Sequence, residues 1–171
     1  MQVIPRKWTK LNQEQNGVAW GAKGDQKGEW QVASKICGTK LMLQAISGGV
    51  ACNGGSARSN FGCPGRREIY VYVTKGKGHD KRIVPKNTNS GGSYLLPHYT
   101  SDSPIIVFDL PLPNGKSEYC FENGSEYHLW HVEDMTDTSE HDNFGTAYTD
   151  IYIYQDGKQG IHSYSNFQSF L

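Results

Sequence analysis

Residues 68–74 read Glu-Ile-Tyr-Val-Tyr-Val-Thr, and no other local pattern restricts the fold as strongly. In an extended chain Ile69, Val71 and Val73 fall on one side, and Tyr70 and Tyr72 on the other. Such period-two alternation cannot build a helical apolar stripe. Similar segments recur at Glu29–Cys37 (EWQVASKIC), Lys40–Ser47 (KLMLQAIS), Glu126–Val132 (EYHLWHV) and Ala147–Tyr154 (AYTDIYIY). Gly38-Thr39 between the first two predicts a hairpin turn. Pro104–Leu110 (PIIVFDL) is nearly all apolar and predicts a strand buried on both faces. No long stretch carries a helical i, i+3, i+4, i+7 stripe free of Gly, Pro or dense β-branched and aromatic runs. The expected architecture is all-β, an antiparallel β-sandwich or jelly roll. Long loops are expected at 48–66, 75–93 and 133–146.

The length, 171 residues, suits one domain spanning 1–171. The tail 156–171 holds Tyr164, Phe167 and Phe170, and reads either as a last strand or as a segment that docks on a partner. With 10 Tyr, 6 Phe and 4 Trp the chain is too aromatic for disorder. No apolar run approaches the roughly 20 residues of a membrane span, so membrane insertion is not expected. The amino terminus has no apolar signal core, so a signal peptide is expected to be absent or already removed.

Seventeen basic and seventeen acidic side chains cancel in total but not in position. Residues 1–100 hold 15 basic and 5 acidic groups; residues 101–171 hold 2 basic and 12 acidic ones. Either the halves lie side by side and neutralise each other, or the acidic half contains a cation site. Lys75, Lys77, Lys81, Arg82 and Lys86 lie in a Gly-punctuated basic hairpin or loop, read as a solvated surface rather than a nucleic-acid site. Four cysteines without a C-x-x-C pair suit two disulfides in an oxidising compartment. Cys52 and Cys63 flank a segment of low apolar content, which leaves Cys37 to pair with Cys120. The alternative is four buried free thiols. Asn123-Gly124-Ser125 is a glycosylation sequon and fits secretion.

The most informative segment is His131–Ile153 (HVEDMTDTSEHDNFGTAYTDIYI). It places Glu133, Asp134, Asp137, Glu140, Asp142 and Asn143 in one connection, with no Lys or Arg from Glu118 through Asp156. Five crowded carboxylates repel one another unless they are solvated or share a cation. Ca²⁺ is bound by carboxylate, amide and backbone carbonyl oxygens, and all three are available here. Gly145 permits a tight return into the last strand. The pattern is not an EF-hand.

Asp134, Thr138 four residues later, the Asp142-Asn143 pair and Gly145 together resemble the carboxy-terminal calcium loop of PA-IL-type galactose-binding lectins. The resemblance implies a galactose-binding-like β-sandwich in which Asp134, the Thr138 carbonyl, Asp142 and Asn143 hold Ca²⁺, and sugar hydroxyls complete the coordination. This chain has one more residue between Thr138 and the Asp-Asn pair. The resemblance also implies a carbonyl from an aromatic-Gly loop, for which Trp20-Gly21 is the candidate. Leu129–Asp134 and Asp142–Gly145 are further similar to a stretch in extracellular domains of marine invertebrates.

Other chemistries are weakly supported. His128 and His131, three apart on a strand, point to opposite faces and cannot chelate one metal together. There is no G-x-S-x-G elbow and no phosphate-binding Gly loop. The expectation is therefore a secreted, calcium-dependent lectin rather than an enzyme, with a glycan partner, galactose-type by the resemblance. Nucleic acid is not an expected partner, and self-association is compatible with the sequence. Metal ligands are expected among Asp134, Thr138, Asp142, Asn143, Glu133 and Asp137. Trp20, Trp130 and His141 are the expected sugar contacts. The alternatives are a calcium-stabilised extracellular-matrix or interaction module and, with less support, a hydrolase or toxin.

Overall fold

The computed structural model describes residues 7–52, 54–76, 81–86, 92–136 and 140–157. Among the described residues eleven strands pair, all of them antiparallel. The first sheet is built on β11 (Thr146–Gln155). One edge of β11 carries two short strands in line: β2 (Val18–Gly21) at its start and β1 (Lys7–Lys10) at its end. The other edge pairs with β5 (Lys40–Gly48), which in turn pairs with β8 (Ile105–Asp109). The second sheet runs β3 (Gly28–Trp30), β10 (Tyr127–His131), β6 (Val71–Lys75) and β7 (Lys81–Val84). A small third sheet joins β4 (Ile36–Gly38) to β9 (Tyr119–Phe121).

The alternation seen in the sequence explains the layering. Val71, Val73 and Leu129 share a buried cluster with Leu41, Leu43, Ile151 and Ile153 of the first sheet, so the inner faces of the two sheets meet. Trp30 stacks on Tyr127 with ring centroids 4.9 Å apart, and Phe121 closes the cluster at 5.0 Å from Tyr127. Each fully buried aromatic of this kind removes roughly 150–250 Å² from water, the largest single contributions to such a core. The all-β sandwich expected from the sequence is the fold observed.

Three local expectations are corrected. Gly38-Thr39 is not a hairpin turn: β4 pairs with β9, and β5 pairs with β11 and β8. At Gly38 the backbone runs against Tyr154 and Ile153 so closely that a side chain would clash, and the chain passes there from one sheet to another. The segment 29–37 is accordingly two short strands, with only Val32 of the intervening stretch buried. Strand 105–109 is an edge strand. Ile106 and Phe108 face the core, while Ile105 and Asp109 are exposed. Its apolar run reflects β propensity on a half-exposed face rather than burial on both sides. The basic loop 75–93 contains β7, folded back on β6, with Arg82 over the Tyr72 ring. Lys77 lies outside the described residues, as do 158–171 of the tail.

Both expected disulfides are present, Cys37–Cys120 and Cys52–Cys63, and no cysteine is free. Cys37 and Cys120 are registered directly opposite each other across β4 and β9. The basic and acidic halves interleave across the first and third sheets. Lys10 meets Asp150 at 2.9 Å, Lys35 meets Glu122 at 3.1 Å and Lys40 meets Asp109 at 2.5 Å. Mutual neutralisation thus accounts for part of the charge split, but none of these pairs involves the acidic loop.

Candidate functional site

The acidic loop lies between the ends of β10 and β11. It opens with one helical turn, α1 (Val132–Thr136), and closes with a 3₁₀ turn at Glu140–Asp142. Two other loops hold it. On one side Ala51 and Phe144 exchange both backbone hydrogen bonds, and the Gly54 amide donates to the Asp142 carbonyl at 2.8 Å. That flanking loop is the one closed by Cys52–Cys63. On the other side the Asp25 amide donates to Asp134 Oδ1 at 2.7 Å, and the Ala22 amide donates to the Gly145 carbonyl at 3.3 Å. Asp25 adopts φ 56°, a left-handed conformation that Asp tolerates better than most residues. Gly145 has φ 96° and runs against the Gly49 carbonyl, so the return into β11 requires glycine.

Within this frame the described ligand candidates divide by burial. Asp134 is 1% exposed and Asn143 3%, while Glu133 and Asp142 are half-buried. Asn143 Nδ2 donates to Glu133 Oε2 at 2.6 Å. Its Oδ1 is buried and accepts no hydrogen bond. Such an atom calls for a cation or water, because buried acceptors are rarely left unmet. Asp137 and Thr138 lie outside the described residues. Among the described residues, Glu133, Asp134 and Asp142 do not bring their carboxylate oxygens together within 4.8 Å. The group of acidic and histidine ligands that does meet this limit is Glu29, Glu126 and His128, on the second sheet.

The three expected sugar contacts differ in access. His141 is exposed at the rim of the loop. Trp130 is half-buried, its indole N–H donating to Thr74 Oγ1 at 3.2 Å and the Lys27 ammonium 5.5 Å from its ring centroid. Trp20 is 1% exposed, and its indole N–H donates to Thr149 Oγ1 at 2.9 Å. Its alternation on β2 turns it into the core, which corrects the expectation that its ring stacks on a sugar. It does line a small cleft of about 220 Å³ with Ala19, Gly21, Gln26, Lys27 and Thr146, beside the acidic loop.

His128 and His131 face opposite ways, as their spacing predicts. His131 is buried and stacked on Tyr70 at 5.4 Å, with neither ring nitrogen hydrogen-bonded. Burial pushes its pKa down from 6.5 to about 4. His128 lies on the other face, its Nε2 2.7 Å from Glu126 Oε1. Sequence reasoning missed Asp25 and the Glu29–Glu126–His128 group. The first is signalled by Gly24-Asp25, a turn dipeptide. The second is half visible in Glu126-x-His128, two residues apart and hence on one face of a strand.

These features define the class of molecule: an antiparallel β-sandwich with an oxygen-rich, three-loop site at one end. Among solved structures the chain is similar to AJLec from the sea anemone Anthopleura japonica, with a TM-score of 0.74 and 25% sequence identity over 87% of this chain and 97% of that one. No protein-family model matches the chain, and no curated protein matches it in sequence.

Proposed function

We propose that the chain is a secreted, calcium-dependent carbohydrate-binding protein, a lectin that acts by recognition or adhesion as a single domain. The observation that carries this reading is Asn143. Its amide is fixed through Nδ2 to Glu133, and its Oδ1 is buried and unmet among oxygen-bearing neighbours. Glu133, Asp134, Asp142 and Asn143 offer only oxygen from their side chains, the donor set Ca²⁺ prefers, so the residues fit the ion. Asp134, Asp142 and Asn143 would hold it, with Asp137 and the Thr138 carbonyl completing the set. When bound, calcium supplies coordination positions for paired sugar hydroxyls. The Asp25 amide orients Asp134, the Gly54 amide holds the Asp142 backbone, and an ion would draw the carboxylates together.

The name of the structural neighbour, AJLec, marks that protein as a lectin and supports a glycan partner here. A galactose-type sugar is the class expected from the calcium-loop resemblance. His141 and the cleft beside Trp20 lie next to the loop and would contact the bound sugar. Two disulfides and an exposed Asn123 in a sequon support an extracellular location. No helix among the described residues is long and apolar enough to cross a membrane. A second reading, a matrix or interaction module in which calcium only stiffens the loop, is favoured by the burial of Trp20 and by the hydrogen bonds that grip the loop from both sides.

A glycan array with and without chelator separates the two. Binding that disappears with chelator and in Asp142→Ala supports the lectin. A calcium-raised melting temperature without glycan binding supports the structural module. A melting temperature and glycan profile indifferent to calcium would sink the metal site altogether.

A further inference from the structure

A second group of ligand atoms assembles away from the acidic loop, on the outer face of the four-stranded sheet. β3 and β10 are antiparallel neighbours, and His128 is registered opposite Glu29. Glu126 lies two residues before His128 and contacts its Nε2 at 2.7 Å. One donor atom from each of Glu29, Glu126 and His128 lies within 4.8 Å of the other two. His128 is wholly buried, Glu126 half-buried and Glu29 exposed, so the group opens outward through Glu29.

The neighbouring cavity supplies an independent observation. It has a volume of about 310 Å³ and is lined by Gln13, Glu14, Glu29, Trp30, Gln31 and Glu126. Two buried atoms of its lining residues have no hydrogen-bond partner: Glu14 Oε2, an acceptor, and the indole Nε1 of Trp30, a donor. Trp30 is only 2% exposed. An unmet acceptor and an unmet donor on one cavity point to an occupant that serves both, since buried polar groups are seldom left unpaired. Water held by a metal ion serves both. Three carboxylates, Glu14, Glu29 and Glu126, also line this cavity, with Lys27 3.8 Å from Glu29.

We propose that Glu29, Glu126 and His128 form a site for a divalent transition-metal ion of the zinc type, separate from the acidic loop. The donor set selects the ion. One imidazole nitrogen with two carboxylates suits Zn²⁺, whereas Ca²⁺ prefers all-oxygen shells. Three protein ligands leave a coordination position for water or a ligand atom, and the cavity beside Glu29 and Glu126 accommodates it. The site is independent of the lectin reading, because it shares no residue with the acidic loop.

The test is isothermal titration of the full chain with zinc chloride in saturating calcium, with X-ray absorption on the zinc-loaded protein. Wild type should bind zinc with a nitrogen- and oxygen-containing shell. Glu29→Gln and Glu126→Gln should each weaken binding by about tenfold or more. Asp142→Asn should leave zinc affinity unchanged. Glu29 is exposed, so its variant tests the site without disturbing the fold. Absence of zinc binding, or binding undiminished in both glutamate variants, overturns the proposal. So does zinc binding that Asp142→Asn abolishes and Glu29→Gln leaves intact.

Discussion

The acidic loop and the outer-face group on the second sheet both gather carboxylates, but by opposite routes. In the loop the acids are neighbours in sequence, and two flanking loops hold them through backbone amides. On the sheet the acids are far apart in sequence, and strand pairing brings Glu29 opposite His128. The loop concentrates charge that must be constrained from outside. The sheet constrains its ligands by register and needs no special loop. Density of acids along the chain therefore marks where a cation can be wanted, while pairing of strands decides where ligand atoms actually meet.

The comparison can be broken in several places. The largest effect is expected from the double substitution Cys52→Ala/Cys63→Ala. Losing an 11-residue cross-link should cost about 3 kcal/mol on the chain-entropy account. Calcium affinity should fall with it, because the same loop holds Asp142, whereas zinc affinity should persist. Denaturant unfolding and metal titration of the variant check both; equal losses at the two sites would show that they are not independently built.

His131 gives a pH test of nearly the same size. His131 has its pKa depressed in the fold to about 4, so the unfolded chain takes up a proton that the folded chain refuses. Stability is therefore unaffected above about pH 6.5 and falls as pH drops from about 6.5 to about 4, by about 3 kcal/mol in all. Urea unfolding in chelator at pH 7 and pH 4.5 measures it. His131→Phe should flatten this dependence, and a variant that keeps the full slope would place the proton elsewhere.

Asp134→Ala should cost about 2 kcal/mol, since it strips the Asp25 amide of its acceptor at a buried position. Calcium-induced stabilisation should vanish at the same time. Glu29→Gln is the mildest change. At an exposed position it should shift stability by no more than about 0.5 kcal/mol, while lowering zinc affinity and leaving calcium affinity untouched. Thermal melts with each metal separate these outcomes.

What the sequence disclosed follows the same division. Alternation in 68–74 and 147–154 led directly to β6 and β11, because period two survives whatever the partner strand. The acidic loop was legible because its residues are contiguous. Gly38-Thr39 misled because a glycine can mark close backbone approach as readily as a turn, and the Tyr154 neighbour is 116 positions away in the chain. Trp20 misled because an aromatic beside glycine says nothing about which face of β2 is turned inward. Glu29 was invisible because no local pattern announces a cross-strand partner nearly one hundred residues distant.

The position of β11 has a consequence for synthesis. The central strand of the first sheet is the last of the described strands in chain order, and it pairs with Lys7–Lys10, more than 140 positions earlier. While the chain is still emerging from the ribosome, β1, β2 and β5 have no common partner, and their inward apolar residues have no closed core to enter. The first sheet cannot close until residue 155 has left the ribosome, so its assembly waits on β11 rather than proceeding strand by strand.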